Sequence, residues 1–178
     1  MKISAPNSPW WDAILIGLGA NLPGSAGAPQ QTLNAAMMAL AHEGIRVIAC
    51  SGFWASPAWP PSDQPPYVNA VARLETELGA EELLLRLHAI EARFGRVRGE
   101  RWAARPLDLD LLAHGRLTMI PAMTGNLALP HPRMAERAFV LLPLAEVAPG
   151  WCHPVLGLTV GDLVAALPPG HGTLALEN

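Results

Sequence analysis

Apolar and polar positions along this chain fall into short stretches with two different periods. Ala13-Ile14-Leu15-Ile16-Gly17-Leu18 is a nearly unbroken apolar run and predicts a buried strand. Gly19 to Gln30 is rich in Gly and Pro and reads as a loop, and Gly17 and Gly19 are expected to allow a tight turn after that strand. Leu33, Met37 and Leu40 recur at helical spacing over Thr32 to His42, and Gly44 stands where a helix stops. Ile45 to Ala55 predicts a strand, and Ser56 to Pro66, with five prolines, a loop. Tyr67 to Leu78 alternates (Val68, Ala70, Ala72, Leu74) and predicts another strand. Leu83, Leu84, Leu87, Ile90 and Phe94 mark one face of a helix that ends at Gly95. Leu107, Leu109 and Leu111 then alternate with Asp108 and Asp110 on a last strand. Strand, helix, strand, strand, helix, strand is the order of a ferredoxin-like α+β fold, an antiparallel sheet covered by helices. Further helical stretches, Arg133 to Val147 and Val160 to Leu167, are expected to cover one side of it. Residues 1–11 read as an irregular tail and 12–178 as a single domain.

Composition narrows the function classes. A chain of 178 residues that is 51% apolar supports one packed core. A net charge of −3 gives no global attraction to nucleic acid or an anionic membrane. No apolar run reaches the roughly 18 residues of a membrane span, and the start lacks a leader pattern. A cytoplasmic location is the expectation; a monomer is expected too, although the sequence does not fix the oligomeric state. Cys50 and Cys152 are too few and too far apart for a disulfide framework or zinc cage, and are expected to be buried thiols. GxxxxGK[ST] is absent, and Gly17-Leu18-Gly19-Ala20-Asn21-Leu22 fails a GxGxxG at Leu22.

The sharpest chemical feature is Asp108 and Asp110, two apart on a strand and so on one face. Such a pair repels itself unless a positive group intervenes, and hard oxygen ligands suit magnesium. The same spacing also fits a solvated strand edge. The preceding segment bears on the choice. Arg86, Arg93, Arg96, Arg98, Arg101 and Arg105 are half of the 12 basic residues and lie within twenty positions. Arg86 and Arg93 suit a helix end. Arg96, Arg98, Arg101 and Arg105 occupy a loop with few acids, where forked guanidinium donors match phosphate oxygens. Trp102 in that loop either anchors it or closes over a bound ring. Tyr67 and Asn69 share one side of their strand, offering a ring and an amide to a heterocycle. Phe139 offers a second aromatic face, although core packing is the better explanation of Tyr67 and of Phe139 taken singly. His131 is held between Pro130 and Pro132.

Together these segments resemble the 6-hydroxymethyl-7,8-dihydropterin pyrophosphokinase family. The likeness rests on GLGANL near the start, DQPPYVNAV at 63–71, IEARFGRVRGERW at 90–102, RPLDLDLL at 105–112 and LPHPRMAERAFVLLPLAEVAP at 129–149. It implies a ferredoxin-like enzyme of folate biosynthesis, moving the diphosphate of ATP to the pterin's hydroxymethyl oxygen with release of AMP. The resemblance implies Asp108 and Asp110 as ligands of two magnesium ions, with Arg96 and Arg105 also catalytic. Tyr67, Asn69, Trp102 and Phe139 would bind the pterin. His88, Glu91, Arg98, Arg105, His131 and Arg137 would surround ATP, His88 standing where some members have a glutamine near adenine. Arg96 and Trp102 would belong to a mobile loop that closes over both substrates.

Overall fold

A computed structural model describes residues 10–58, 61–96, 104–120 and 127–177. Its sheet contains β1 (Ile14–Ala20), β2 (Arg46–Cys50), β3 (Trp54–Ser56), β4 (Tyr67–Glu75), β5 (Asp108–His114) and a short β6 (Leu174–Ala175). The strands run in the order β5-β1-β4-β3-β6, with β2 also paired to β4, and every pairing is antiparallel. Helices α1 (Pro29–His42) and α2 (Ala80–Arg93) are the crossovers between them; α3 (Ala138–Val147) and α4 (Val160–Ala165) follow β5. This is the expected ferredoxin-like arrangement.

Strand periodicity decides how the layers assemble. Leu15 and Ile16 are neighbours in β1 and both fully buried, so both faces of the sheet are covered. Ile16, Leu18, Ala70, Ala72, Leu109 and Leu111 pack under α1 and α2 with Leu33, Leu40, Leu83 and Leu87. Leu15, Val71 and Leu112 point the other way, onto Val140, Leu141, Leu144, Trp151 and Leu163 of the α3–α4 layer. A register shift opposite Leu15 and Ile16 lets Leu112 and Ala113 both join this second core. The two later helices thus take the face that α1 and α2 leave bare.

Local sequence sets the ends. Pro29 opens α1, where its missing N–H costs nothing, and the Gln31 carboxamide accepts from Ala28 N–H at 2.8 Å. Gly44 and Gly95 take positive φ just past α1 and α2. Thr159 and Asp162 cap α4 reciprocally.

Four expectations need correction. The strand expected over Ile45 to Ala55 is two strands, because the chain turns at Ser51–Phe53, where Ser51 Oγ accepts from Val71 N–H and Gly52 N–H is drawn to Glu146 on α3. The strand from Tyr67 ends at Glu75 rather than Leu78. The helix expected over Arg133 to Val147 is a 3-10 turn at Met134–Glu136 followed by α3, with Arg137 extended between them. Cys152 is buried but Cys50 is exposed, because it lies on the outward face of β2. At the start of the described chain, Trp10 stacks on the Arg73 guanidinium at 4.5 Å and Trp11 on Arg116 at 4.7 Å.

The second core makes a testable commitment. Trp151 is among its largest fully buried side chains. Trp151→Ala is expected to lower unfolding stability by about 3–5 kcal/mol in urea titration. A loss below about 1 kcal/mol would mean that the α3–α4 layer is not packed on the sheet.

Candidate active site

A solvent-open cavity of about 210 Å³ lies on the α3 side of the sheet. Its floor is β1. Gly17 pairs with Val71 and Asp110, and Gly19 with Asn69 and Asp108. Neither glycine takes a positive φ. They sit within the strand, which corrects the expectation that they serve a turn. Their bare backbone leaves open the space where side chains would stand. A Cβ on Gly19 would lie 3.5 Å from Asn69 Oδ1, 3.8 Å from Tyr67 and 3.9 Å from Asp108, at the centre of the cavity.

On one side of this floor Asp108 and Asp110 project together, while Leu109 and Leu111 enter the core opposite. Arginines balance the pair. Arg96 Nη1 donates to Asp108 Oδ1 at 2.5 Å, and Arg105 Nη1 to Asp108 Oδ2 at 3.2 Å. Arg137 Nη1 lies 3.9 Å from Asp110 Oδ2. Asp110 retains 40% of its side-chain exposure toward the cavity. Even so, the surrounding protein, and secondarily Asp108, push its pKa up to about 6.

Glu91 lies behind this cluster. It is 2% exposed, accepts from Leu109 N–H at 2.7 Å, and is bonded to Arg96. Burial pushes its pKa up to about 7, against the opposing pull of the Leu109 bond and Arg96. Arg137 stacks on Phe139 at 5.5 Å, and its buried Nε has no hydrogen-bond partner. That orphan donor beside a carboxylate pair fits a bound anion.

The opposite wall is aromatic and amide. Tyr67 and Asn69 face the cavity from β4, Phe139 from α3, and Ser56-Pro57 from the end of β3. Asn69 Nδ2 donates to the Trp54 carbonyl at 3.2 Å and to Ser56 Oγ at 3.0 Å. A carbonyl only accepts, so this orients the amide and leaves Oδ1 as an acceptor near the Gly19 floor. Burial pushes the Tyr67 phenol up, against the opposing influence of Arg105.

Asn21 joins the two walls. It is 2% exposed; its Oδ1 accepts from Arg105 N–H at 2.9 Å, and its Nδ2 donates to Gln64 Oε1 and the Pro65 carbonyl at 3.2 and 3.3 Å. The turns entering β5 and β4 are therefore held by one buried side chain.

The structure thus brings together Tyr67, Asn69, Arg96, Arg105, Asp108, Asp110, His131, Arg137 and Phe139 on one cavity. Glu91 supports it from behind, and His88 stands on α2 away from the lining. Arg98 and Trp102 lie outside the described residues. Arg86 and Arg93 remain on the helix surface, both paired with Glu43. Sequence reasoning missed Ser56 and Pro57, hidden in a proline-rich loop, and the roles of Gly17, Gly19 and Asn21. Two glycines two apart on a strand were the available signal for a bare strip. Among the described residues no three His, Cys, Asp or Glu side chains cluster as a metal cage. The donor set still suits magnesium, which takes one or two carboxylates and completes its shell with water and phosphate.

His131 is fixed as a neutral donor. Its Nδ1 accepts from Arg133 N–H at 3.2 Å, which places the ring proton on Nε2. Burial first, and Arg137 second, push its pKa down from 6.5 to about 4. Its contribution to stability is therefore full above pH 6.5 and is lost as pH falls through about 4. The His131 ring resonances are expected to stay flat from pH 8 to about 5 in NMR titration. An inflection near pH 6.5 would show a solvated imidazole instead.

The family model for 7,8-dihydro-6-hydroxymethylpterin-pyrophosphokinase (HPPK) matches residues 15–149. The 2-amino-4-hydroxy-6-hydroxymethyldihydropteridine pyrophosphokinase of Synechocystis sp. is 42% identical over 151 residues, covering 84% of this chain and 73% of that protein. Its Pseudomonas aeruginosa counterpart is 41% identical over 157 residues, covering 87% and 91%. Among solved structures, a Plasmodium falciparum HPPK-DHPS triple mutant with SDX-DHP superimposes with a TM-score of 0.68 at 13% identity, over 86% of this chain. The chain spans only 44% of that longer protein, and the likeness bears on the fold alone. The fold, the match to residues 15–149 and the relatives at about 40% identity agree: the chain belongs to the 7,8-dihydro-6-hydroxymethylpterin pyrophosphokinase family.

Proposed function

We propose that residues 12–178 act as one enzyme that moves the β,γ-diphosphate of ATP onto the hydroxymethyl oxygen of 6-hydroxymethyl-7,8-dihydropterin, releasing AMP. One observation carries the reading. Two aspartates balanced by three arginines face an aromatic–amide slot across a floor of glycine. A planar heterocycle fits between Tyr67 and Phe139, with Asn69 Oδ1 accepting from its donor edge. The polyphosphate lies toward the arginines.

The chain's residues then act by positioning and charge. Asp108 and Asp110 would hold two magnesium ions, which when bound would supply positive charge to the polyphosphate. Arg96, Arg105 and Arg137 line the same cavity, and their forked donors match phosphate oxygens. Neutral His131 donates from Nε2 without adding charge. Glu91 keeps Arg96 from swinging away. The bond formed is between the pterin oxygen and the β-phosphorus; the bonds broken are the hydroxyl O–H, whose proton goes to solvent water, and the bond from the β-phosphorus to the α,β-bridging oxygen, which leaves on AMP with the electron pair. Such transfers depend mostly on orientation and electrostatic neutralisation. Arg98, His88 and Trp102 complete the nucleotide and lid contacts in this reading. Free Cys50 and Cys152 suit a monomer working in the reducing cytoplasm. No helix among the described residues is long and apolar enough to cross a membrane.

Chromatography of nucleotides after mixing the protein with MgATP and the pterin, beside a control without pterin, tests this directly. AMP is expected only with pterin. ADP, or breakdown of ATP without pterin, sinks the proposal. Asp108→Asn and Asp110→Asn should each reduce turnover by about a thousandfold with the fold intact. Near-normal rates in magnesium would remove the metal assignment.

The glycine floor gives a separate check. Gly19→Val keeps a strand-forming residue in β1 but places its side chain in the slot. Turnover should drop by roughly a hundredfold or more while thermal stability stays close to wild type. Full activity in this variant would mean that the ring binds elsewhere.

A further inference from the structure

Glu146 sits in the last turn of α3, where the negative end of the helix dipole disfavours a carboxylate, and no basic residue accompanies it there. It is held by two N–H donors from a different element. Gly52 N–H donates to Oε2 at 2.8 Å, and the Trp54 indole N–H to Oε1 at 2.7 Å. Both donors belong to the stretch that ends β2 and opens β3, the same stretch that runs into Ser56 and Pro57 on the cavity wall. Neither oxygen touches the cavity, and nothing in the transfer chemistry uses Glu146.

The connections continue past Trp54. Its indole reaches Glu146, while its carbonyl accepts from Asn69 Nδ2, which also bonds Ser56 Oγ. On α3, Phe139 and Glu146 are seven residues apart, two turns on one helix face and about 10 Å along the axis. One hydrogen-bonded path therefore runs from the helix that carries Phe139, through Trp54, to the strand that carries Tyr67 and Asn69. These are the two sides of the aromatic slot.

We infer that Glu146 is a positioning residue: by accepting from Gly52 and Trp54 it sets the separation between α3 and the β3–β4 wall, and so governs affinity for the planar heterocycle rather than for the nucleotide. The inference rests on the proposed function for the identity of that ring. Charge-assisted bonds to two N–H groups need a carboxylate, since a carboxamide turns one of its two ends into a donor facing a donor.

The experiment compares Glu146→Gln, Trp54→Phe and the double variant in the full chain. Affinity for α,β-methylene-ATP with magnesium is measured first, then affinity for the pterin in its presence. Pterin affinity is expected to weaken about tenfold in Glu146→Gln and in Trp54→Phe, with nucleotide affinity within about twofold of wild type. The double variant should lose no more than about twofold beyond the worse single variant, because both act through one path. Amide hydrogen exchange across residues 52–57 should quicken in Glu146→Gln, a readout independent of any ligand. Unchanged pterin affinity, equal loss for nucleotide and pterin, or additive losses overturn the assignment, as does slow exchange at 52–57. Trp54→Phe keeps the question answerable should Glu146→Gln fold poorly. A wild-type protein that binds the nucleotide but never the pterin overturns the functional reading, and this assignment with it. Wild-type turnover with unaffected variants overturns the role of Glu146 alone.

Discussion

The repulsion between Asp108 and Asp110 is the constraint around which the rest of this molecule is arranged. Period-two geometry puts both carboxylates on one face of β5, while the intervening Leu109 is committed to the opposite core. The pair cannot separate without breaking the sheet. Charge must come to it, and it comes from three directions: Arg96 after α2, Arg105 before β5 and Arg137 at the head of α3. Those long side chains find room because the adjacent strand carries glycine at 17 and 19. A larger residue at either position would stand where the arginines and any ligand must meet the carboxylates.

This division places rigidity and freedom on different elements. The carboxylates and Asn69 are on strands, held by register. The arginines are at loops and helix ends, where a change of partner needs only side-chain rotation. Arg137 shows how local backbone serves this. Its extended φ/ψ interrupts the helical stretch between the 3-10 turn and α3, and its side chain reaches Asp110 while stacking on Phe139. A continuous helix from 133 to 147 would have removed that freedom.

Much of this was readable in the residues. The order of strands and helices followed from hydrophobic period, and the carboxylate pair from the alternation of Leu and Asp. The likeness at RPLDLDLL and LPHPRMAERAFVLLPLAEVAP brought His131, Arg137 and Phe139 to the same site. The rest depended on contacts distant in sequence. Gly17 and Gly19 look like turn glycines until β4 and β5 are laid on either side of β1. The break at Ser51–Phe53 is invisible in a β-favouring stretch, because its cause, Glu146, lies 94 residues from Gly52. Cys50 is an apolar-class residue whose exposure depends only on which face of β2 meets a helix. His88 carries helical periodicity on α2, yet nothing local to it tells whether that face looks onto the cavity.

Two small polar contacts make the halves of the site one object. Asn21 holds the backbone of Arg105 and the Gln64–Pro65 turn that leads into Tyr67, so the charged side and the aromatic side are tied together. Its amide is buried, and a buried amide stripped of its partners is costly enough to keep that junction closed. Glu146 does the corresponding work across the slot, from α3 to β3. The sheet fixes distances along β1, β4 and β5, but it cannot fix the height of a helix above it, since apolar packing on Val71 and Leu112 is tolerant of small slides. Directional bonds at Glu146 supply the coordinate that the hydrophobic layer leaves loose. A transfer reaction that depends on aligning an oxygen with a phosphorus needs that coordinate as much as it needs the charges.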